Sequence, residues 1–168
     1  MHLGPVMIDI EGPALSHPEQ GLLRHPRIGG IILFSRNYKN KEQLKELVSD
    51  IRNIAGKSIL IAVDHEGGRV WRFKEGFTEL PPAKDYGVAF QDSPEKGLEL
   101  ARNSGFTMAK ELLDCGIDLS LAPILDLDLG LSTVIGDRAF HQKPELVTQL
   151  AGAFIERQSL IITPSNPN

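Results

Sequence analysis

The chain has 168 residues, 41% hydrophobic and 24% charged, a composition that fits one globular domain with a sizeable core. Its net charge of −4 and pI near 5.7 speak against a nucleic-acid or anionic-membrane surface, because both select for excess Lys and Arg. The longest apolar runs are too short to span a bilayer, and the Met1-His2-Leu3-Gly4-Pro5 start lacks the basic and apolar stretches of a secretory leader, so the expected compartment is the cytoplasm.

In chain order, Pro5 to Ile10 reads as a first strand and Gly30 to Phe34 as a second, apolar on successive residues like a parallel strand covered on both faces. Lys41 to Ala55 follows as a helix, with Leu44, Leu47, Val48, Ile51 and Ile54 on one stripe and Gly56 closing it. Ser58 to Val63 is a third strand, ending at Asp64. A loop rich in Gly, Pro and charge is expected from Asp64 to about Ser93. Pro94 to Leu113 reads as a helix and Ile117 to Ala122 as a fourth strand. Pro144 to Glu156 then opens as a helix.

Strand and helix alternating in this way predicts an α/β fold with a parallel sheet. The pattern alone admits a doubly wound sheet or a (β/α)₈ barrel. No Gly-x-Gly-x-x-Gly follows any strand, which weakens the dinucleotide-binding version. Polar residues gather just past strand ends, where barrel enzymes keep their sites. A full barrel needs about 250 residues, so four or five strands here predict an incomplete one.

The segment Asp64-His65-Glu66-Gly67-Gly68-Arg69-Val70-Trp71-Arg72-Phe73 carries the densest chemistry. A carboxylate at a strand end can accept hydrogen bonds from sugar hydroxyls, and an arginine fork can donate to hydroxyls, an amide carbonyl or a carboxylate. The residues alone leave Asp64 and Arg72 open between ligand contact and loop structure. Glu66 and Arg69 read as an internal ion pair fixing the loop, and Trp71 and Phe73 as core or loop anchors. Consecutive Asp64, His65 and Glu66 point to alternate sides of an extended segment and have no second ligand group at metal-binding spacing, so no metal is expected. Asp137 and Arg138, taken alone, read as a surface ion pair, and His141 as a loop residue. Asp126 and Asp128 read as structural, Asp126 being the better candidate to line a site. The single Cys115 reads as a buried, inert thiol.

Taken together, several segments resemble glycoside hydrolase family three, specifically its single-domain bacterial β-N-acetylhexosaminidases. They are Pro5 to Gly12, Gly29 to Tyr38, the loop Ala62 to Phe73 (where Gln is commoner than His65), Leu121 to Asp126 and Ile135 to Phe140. The resemblance runs from about Val6 to Glu156. It implies the N-terminal part of a (β/α)₈ barrel that removes terminal N-acetyl-β-glucosamine from peptidoglycan fragments during cytosolic cell-wall recycling. The implied mechanism is a retaining double displacement with no cofactor. It implies substrate contacts at Asp64, Arg72 and Arg138, with an N-acetylglucosamine-containing muropeptide or saccharide as the partner.

Beyond Glu156 the resemblance stops. The family's Lys-His-Phe-Pro-Gly-His strand, its catalytic histidine and its nucleophilic aspartate have no match here, so no catalytic residue is expected within this chain. Residues 1–156 are expected to form the N-terminal part of the barrel, and 157–168 a divergent tail arising from a frameshift or premature stop. A separately encoded C-terminal half is then a possible partner. The competing reading is a non-catalytic saccharide-binding or regulatory remnant.

Overall fold

The apolar run Ile28–Leu33 forms β2, buried at every position except Ile32, as a strand covered on both faces demands. Met7 of β1 (Val6–Ile8) lies opposite Gly30 and Ile8 opposite Ile31, with an irregularity between Val6 and Met7. The strands' approach depends on Gly29: a Cβ there would meet the carbonyl oxygen of Gly4 at 2.0 Å. β3 (Leu60–Val63) pairs with β2 from Gly30↔Leu60 to Leu33↔Val63, and β4 (Leu119–Ser120) pairs with β3 through Ala62↔Leu119 and Val63↔Ser120. All pairings are parallel and the spatial order is β1-β2-β3-β4. A doubly wound sheet reverses its strand order at a switch point, whereas a barrel wall advances one neighbour at a time. The observed order is that of a barrel wall, the N-terminal part of a TIM-type fold.

The structure is a computed structural model that describes residues 3–56 and 58–162, with side chains through Glu156. The chain divides into two compact units. The first holds residues 1–65, 72–77 and 111–121, the second residues 66–71, 78–110 and 122–168.

The first unit contains the sheet and two helices. α1 (His17–Leu23) was not anticipated from apolar spacing, being only two turns long. Its signal is the Ser16-His17-Pro18-Glu19 capping box: the Glu19 carboxylate accepts the Ser16 backbone N–H at 2.7 Å, the Ser16 hydroxyl at 2.6 Å and the Glu11 N–H at 2.8 Å. α2 (Lys41–Ala55) begins where the Asn40 side chain accepts the Gln43 N–H at 2.8 Å and ends at Gly56 with φ +60°. Its buried stripe is Leu44, Leu47, Val48, Ile51 and Ala55, the last replacing the expected Ile54. Arg52 of the same helix donates to the carbonyls of Ile59 (3.2 Å) and Gly116 (2.7 Å) and to Asp118 (2.8 Å), which also accepts the Ile61 N–H at 2.7 Å.

In the second unit the segment expected to be loop contains α3 (Ala83–Asp92), which starts after Pro81-Pro82. Its buried face is Tyr86 and Gly87, and a glycine in place of an apolar side chain hid the helical period. Gly87 is required, since a Cβ there would meet the Phe140 carbonyl oxygen at 2.0 Å. α4 (Pro94–Asp114) begins in this unit and ends in the first, and α5 runs from Pro144 to Ile162. Tyr86, Phe140 and Phe154 form an aromatic core with ring centroids 5.8–6.4 Å apart. For the tail expected at 157–168, the helical backbone is defined to Ile162 and the rest lies outside the described residues.

Candidate saccharide site

The site residues of the first unit follow from strand ends. β3 stops at Val63, and Asp64 comes next with its side chain 24% exposed. Arg72 donates twice to it, from Nη2 to the carboxylate at 2.7 Å and from Nε to the main-chain carbonyl at 2.9 Å. The pair is charge-matched and half-buried. The Phe34 ring, just past β2, lies beneath the guanidiniums of Arg36 (4.8 Å) and Arg72 (5.8 Å). Arg36 also bonds the Asp9 carboxylate and, at 2.9 Å, the Ile10 carbonyl. Asn37, fully buried, donates to the carbonyls of Ile10 (3.0 Å) and Gly12 (2.9 Å) and accepts the Phe34 N–H at 2.8 Å. It ties the exits of β1 and β2 together, a role the sequence reading did not assign. A cavity of about 370 Å³ lies here, lined by Ser35, Tyr38, Lys39, Arg72, Lys74 and Glu75.

His65 is 1% exposed, its ring packed against Phe73 and Phe77 at 5.6 and 5.7 Å. Burial, reinforced by the Arg72 charge and opposed by Asp64, pushes its pKa down to about 4, so the imidazole is neutral at pH 7. Its Nδ1 has no hydrogen-bond partner, and neither does the Nε1 of Trp71. Phe73 is fully buried, the core anchor expected of it. Cys115 is also buried, which pushes its thiol pKa up and leaves it unreactive, as expected.

In the second unit the loop closes on itself. The Glu66 N–H donates to the Val70 carbonyl at 2.9 Å, and Gly67 and Gly68 turn the chain with φ +110° and +50°. The expected Glu66–Arg69 ion pair does not form. Glu66 instead takes Nε and Nη2 of Arg138 at 2.9 and 2.6 Å, while Arg69 bonds Asp137 at 2.8 Å and the carbonyls of Thr133, Val134 and Ile135. Two crossed bridges thus tie the loop to the 3₁₀ turn Gly136–Arg138. The geometry is fork to fork: Arg138 meets both carboxylate oxygens of Glu66 with two donors, while Arg69 turns to Asp137 and the Thr133–Ile135 carbonyls. The surface pair expected between Asp137 and Arg138 is thus replaced by a bridge from each to the loop, and the Arg138 side chain is 19% exposed.

Asp126 is exposed and Asp128 half-buried. Asp128 accepts from Lys84 at 3.4 Å and lines a cavity of about 250 Å³ with Lys84, Gln91 and His141. Its backbone N–H donates to the His141 carbonyl at 3.2 Å, which pins it inward. His141 shares a 2.6 Å hydrogen bond with Gln91. Among the described residues no cluster of three His, Cys, Asp or Glu is placed to hold a metal ion, and no helix is long and apolar enough to cross a membrane.

Residues 5–160 match the glycosyl hydrolase family 3 N terminal domain, and the chain belongs to that family. It is 54% identical over 151 residues to a beta-hexosaminidase of Thioalkalivibrio sulfidiphilus, covering 90% of this chain and 44% of that protein. A beta-hexosaminidase of Bordetella avium is 49% identical over 94% of this chain and 45% of its own length. The fold is similar to NagZ from Neisseria gonorrhoeae in complex with N-trifluoroacetyl-D-glucosamine, with a TM-score of 0.91 at 47% identity over 94% of this chain and 47% of that one. It is also similar to a family 3 beta-N-acetylglucosaminidase from Paenibacillus, with a TM-score of 0.84 at 30% identity over 91% of this chain and 29% of that one. The chain thus spans less than half the length of the curated relatives it matches.

Proposed function

We propose that this chain supplies the sugar-binding part of a retaining β-N-acetylhexosaminidase that releases terminal N-acetyl-β-glucosamine from peptidoglycan fragments in cytosolic cell-wall recycling. Asp64, Arg72 and Arg138 are its sugar-contacting residues. The observation that carries this reading is the half-buried, charge-matched Asp64–Arg72 pair at the C-terminal end of β3, where barrel enzymes bind substrate. One Asp64 oxygen holds Arg72 and the carboxylate still has acceptor capacity for a sugar hydroxyl. The match to beta-hexosaminidases, and to a solved relative holding an N-acylated glucosamine, supports the same sugar class.

No residue of this chain is assigned as acid/base or nucleophile. Binding without those groups gives no barrier lowering of enzyme size. The chemistry belongs to the remaining part of the fold, on the same polypeptide or on a separately encoded C-terminal half. The test joins this chain to the C-terminal remainder of the Thioalkalivibrio relative and follows a chromogenic N-acetyl-β-glucosaminide. The joined protein is expected to turn it over, the chain alone to bind N-acetylglucosamine without turnover, and Asp64→Ala to abolish both. Saturable binding by the chain with no turnover after joining would favour a non-catalytic saccharide-binding remnant. Turnover by the chain alone, lost in Asp64→Ala, would overturn the assignment of chemistry elsewhere.

A further inference from the structure

The proposed sugar contact Arg138 is already matched by a carboxylate, and that bears on which ligands it accepts. Glu66 is held rigidly: its N–H donates to Val70 at 2.9 Å, and the turn that follows is pressed against Pro81 and Pro82 so closely that a Cβ on Gly67 or Gly68 would come within 2.7 Å of them. The Glu66 side chain is 9% exposed and that of Arg138 is 19% exposed, so little water screens the pair. Two parallel N–H···O bonds, Nε to Oε2 at 2.9 Å and Nη2 to Oε1 at 2.6 Å, fix the plane of the guanidinium as well as its position. Nη1 is drawn to the Val134 carbonyl at 3.2 Å. The neighbouring Asp137–Arg69 bridge, with Arg69 gathering the carbonyls of Thr133, Val134 and Ile135, holds the backbone that carries Arg138.

We infer that Glu66 is a positioning and specificity-determining residue that orients Arg138 and cancels its charge, so that the arginine recognises an uncharged acceptor, such as an amide carbonyl or hydroxyl of a sugar, and rejects a carboxylate. An unmatched, poorly solvated arginine would attract carboxylates in preference to amides. With Glu66 in place, a second carboxylate meets a guanidinium already paired and a negative neighbour besides, and like-charge juxtaposition disfavours it. The inference rests on the proposed contact between Arg138 and the sugar.

Acetate and acetamide share a shape and differ in charge, which makes acetate a suitable probe. The purified chain is titrated with N-acetylglucosamine in sodium acetate and in sodium chloride of equal ionic strength. For the wild type the apparent Kd is expected to be the same in both salts. Glu66→Gln is expected to bind the sugar a few-fold more weakly in chloride and about tenfold more weakly still in acetate, as the anion takes the released arginine. Glu66→Asp keeps the charge but not the reach, so it should lose affinity while staying indifferent to acetate. A purely structural Glu66 would weaken binding equally in both salts. Acetate-sensitive wild type, or Glu66→Gln that binds sugar with no acetate effect, overturns the inference and leaves the binding reading intact. Should Glu66→Gln fail to fold, the wild type and Glu66→Asp still decide, since acetate competition in either defeats it. Absence of sugar binding in every form sinks the reading and the inference together.

Discussion

The two halves of the Asp64–Phe73 loop are held in place by different physics. In the first unit, Asp64 pairs with an arginine eight residues along the same loop, and His65 and Phe73 are buried among aromatic rings. In the second, Glu66 pairs with an arginine 72 residues away and Arg69 with an aspartate 68 residues away. A local pair can form in any compact state of the loop. A distant pair exists only once the fold has brought two segments together, and it then shields charges that would be costly to leave unmatched. The lesson is that the stronger electrostatic tie belongs to the residues least visible as partners in sequence.

The comparison breaks most easily at Glu66. Glu66→Ala strands the Arg138 charge in a site where the side chain is 19% exposed, and is expected to destabilise by about 3–5 kcal/mol. Asp64→Ala leaves Arg72, 29% exposed, with the Asp64 main-chain carbonyl still to bond, and should cost about 1–2 kcal/mol. Urea unfolding of both variants checks the ranking, and equal losses would erase the distinction drawn between the two halves.

The aromatic half has its own signature in pH. The folded pKa of His65, about 4, lies below the ordinary 6.5, so between those values the unfolded chain binds more protons than the folded one. Stability is therefore whole above pH 6.5 and is lost as pH falls toward 4, by an amount on the order of 3 kcal/mol. His65→Gln should flatten the stability profile across that window. Glu19 acts lower: its burial favours the neutral acid, but hydrogen bonds from Ser16 and Glu11 outweigh this and hold its pKa below 4.5. Its share is lost only below pH 4.5 and should persist in His65→Gln. Chemical denaturation from about pH 2 to pH 8 separates the two groups.

What was legible in the sequence divides along the same line. β2, α2 and the Gly56 stop were legible because their signals are local: an unbroken apolar run, a helical stripe and a left-handed cap. α1 was announced by its capping box, yet its two turns are too short to show an apolar period. α3 stayed hidden because Gly87 occupies its packed face, and Gly87 has its reason in Phe140, far along the chain. The same holds for the crossed bridges. Nothing local tells Glu66 that Arg138, rather than Arg69, will present two donors. The residues alone leave Asp64 and Arg72 open between ligand contact and loop structure, and only the family resemblance implies sugar contacts; the structure pairs the two with each other.

Glycine makes the second unit's dependence on distant contacts testable on a smaller scale. Gly87→Ala sets a methyl against a backbone carbonyl at 2.0 Å, so α3 must shift, at a cost of about 1–3 kcal/mol. Gly152→Ala in α5 has nothing within 4 Å of the new methyl and should instead stabilise by about 0.5–1 kcal/mol. Thermal unfolding of the two alanine variants should move in opposite directions. Movement in the same direction would mean that helix propensity, rather than the approach of α3 to Phe140, governs both sites.

The smallest effect is expected where a pair is distant in sequence but open to water. Asp9 and Arg36 lie 27 residues apart, so sequence separation alone would rank their bridge with Glu66–Arg138. Their side chains are 60% and 44% exposed, however, and water and salt screen such a pair almost completely. Arg36 also keeps its bond to the Ile10 carbonyl when the carboxylate is removed. Asp9→Asn is therefore expected to change stability by less than about 0.5 kcal/mol, and less still at high salt. A loss approaching that of Glu66→Ala would show that sequence separation, through the ordering it imposes on the fold, outweighs burial. A negligible loss would leave exclusion of water as the quality that makes the Glu66–Arg138 pair strong.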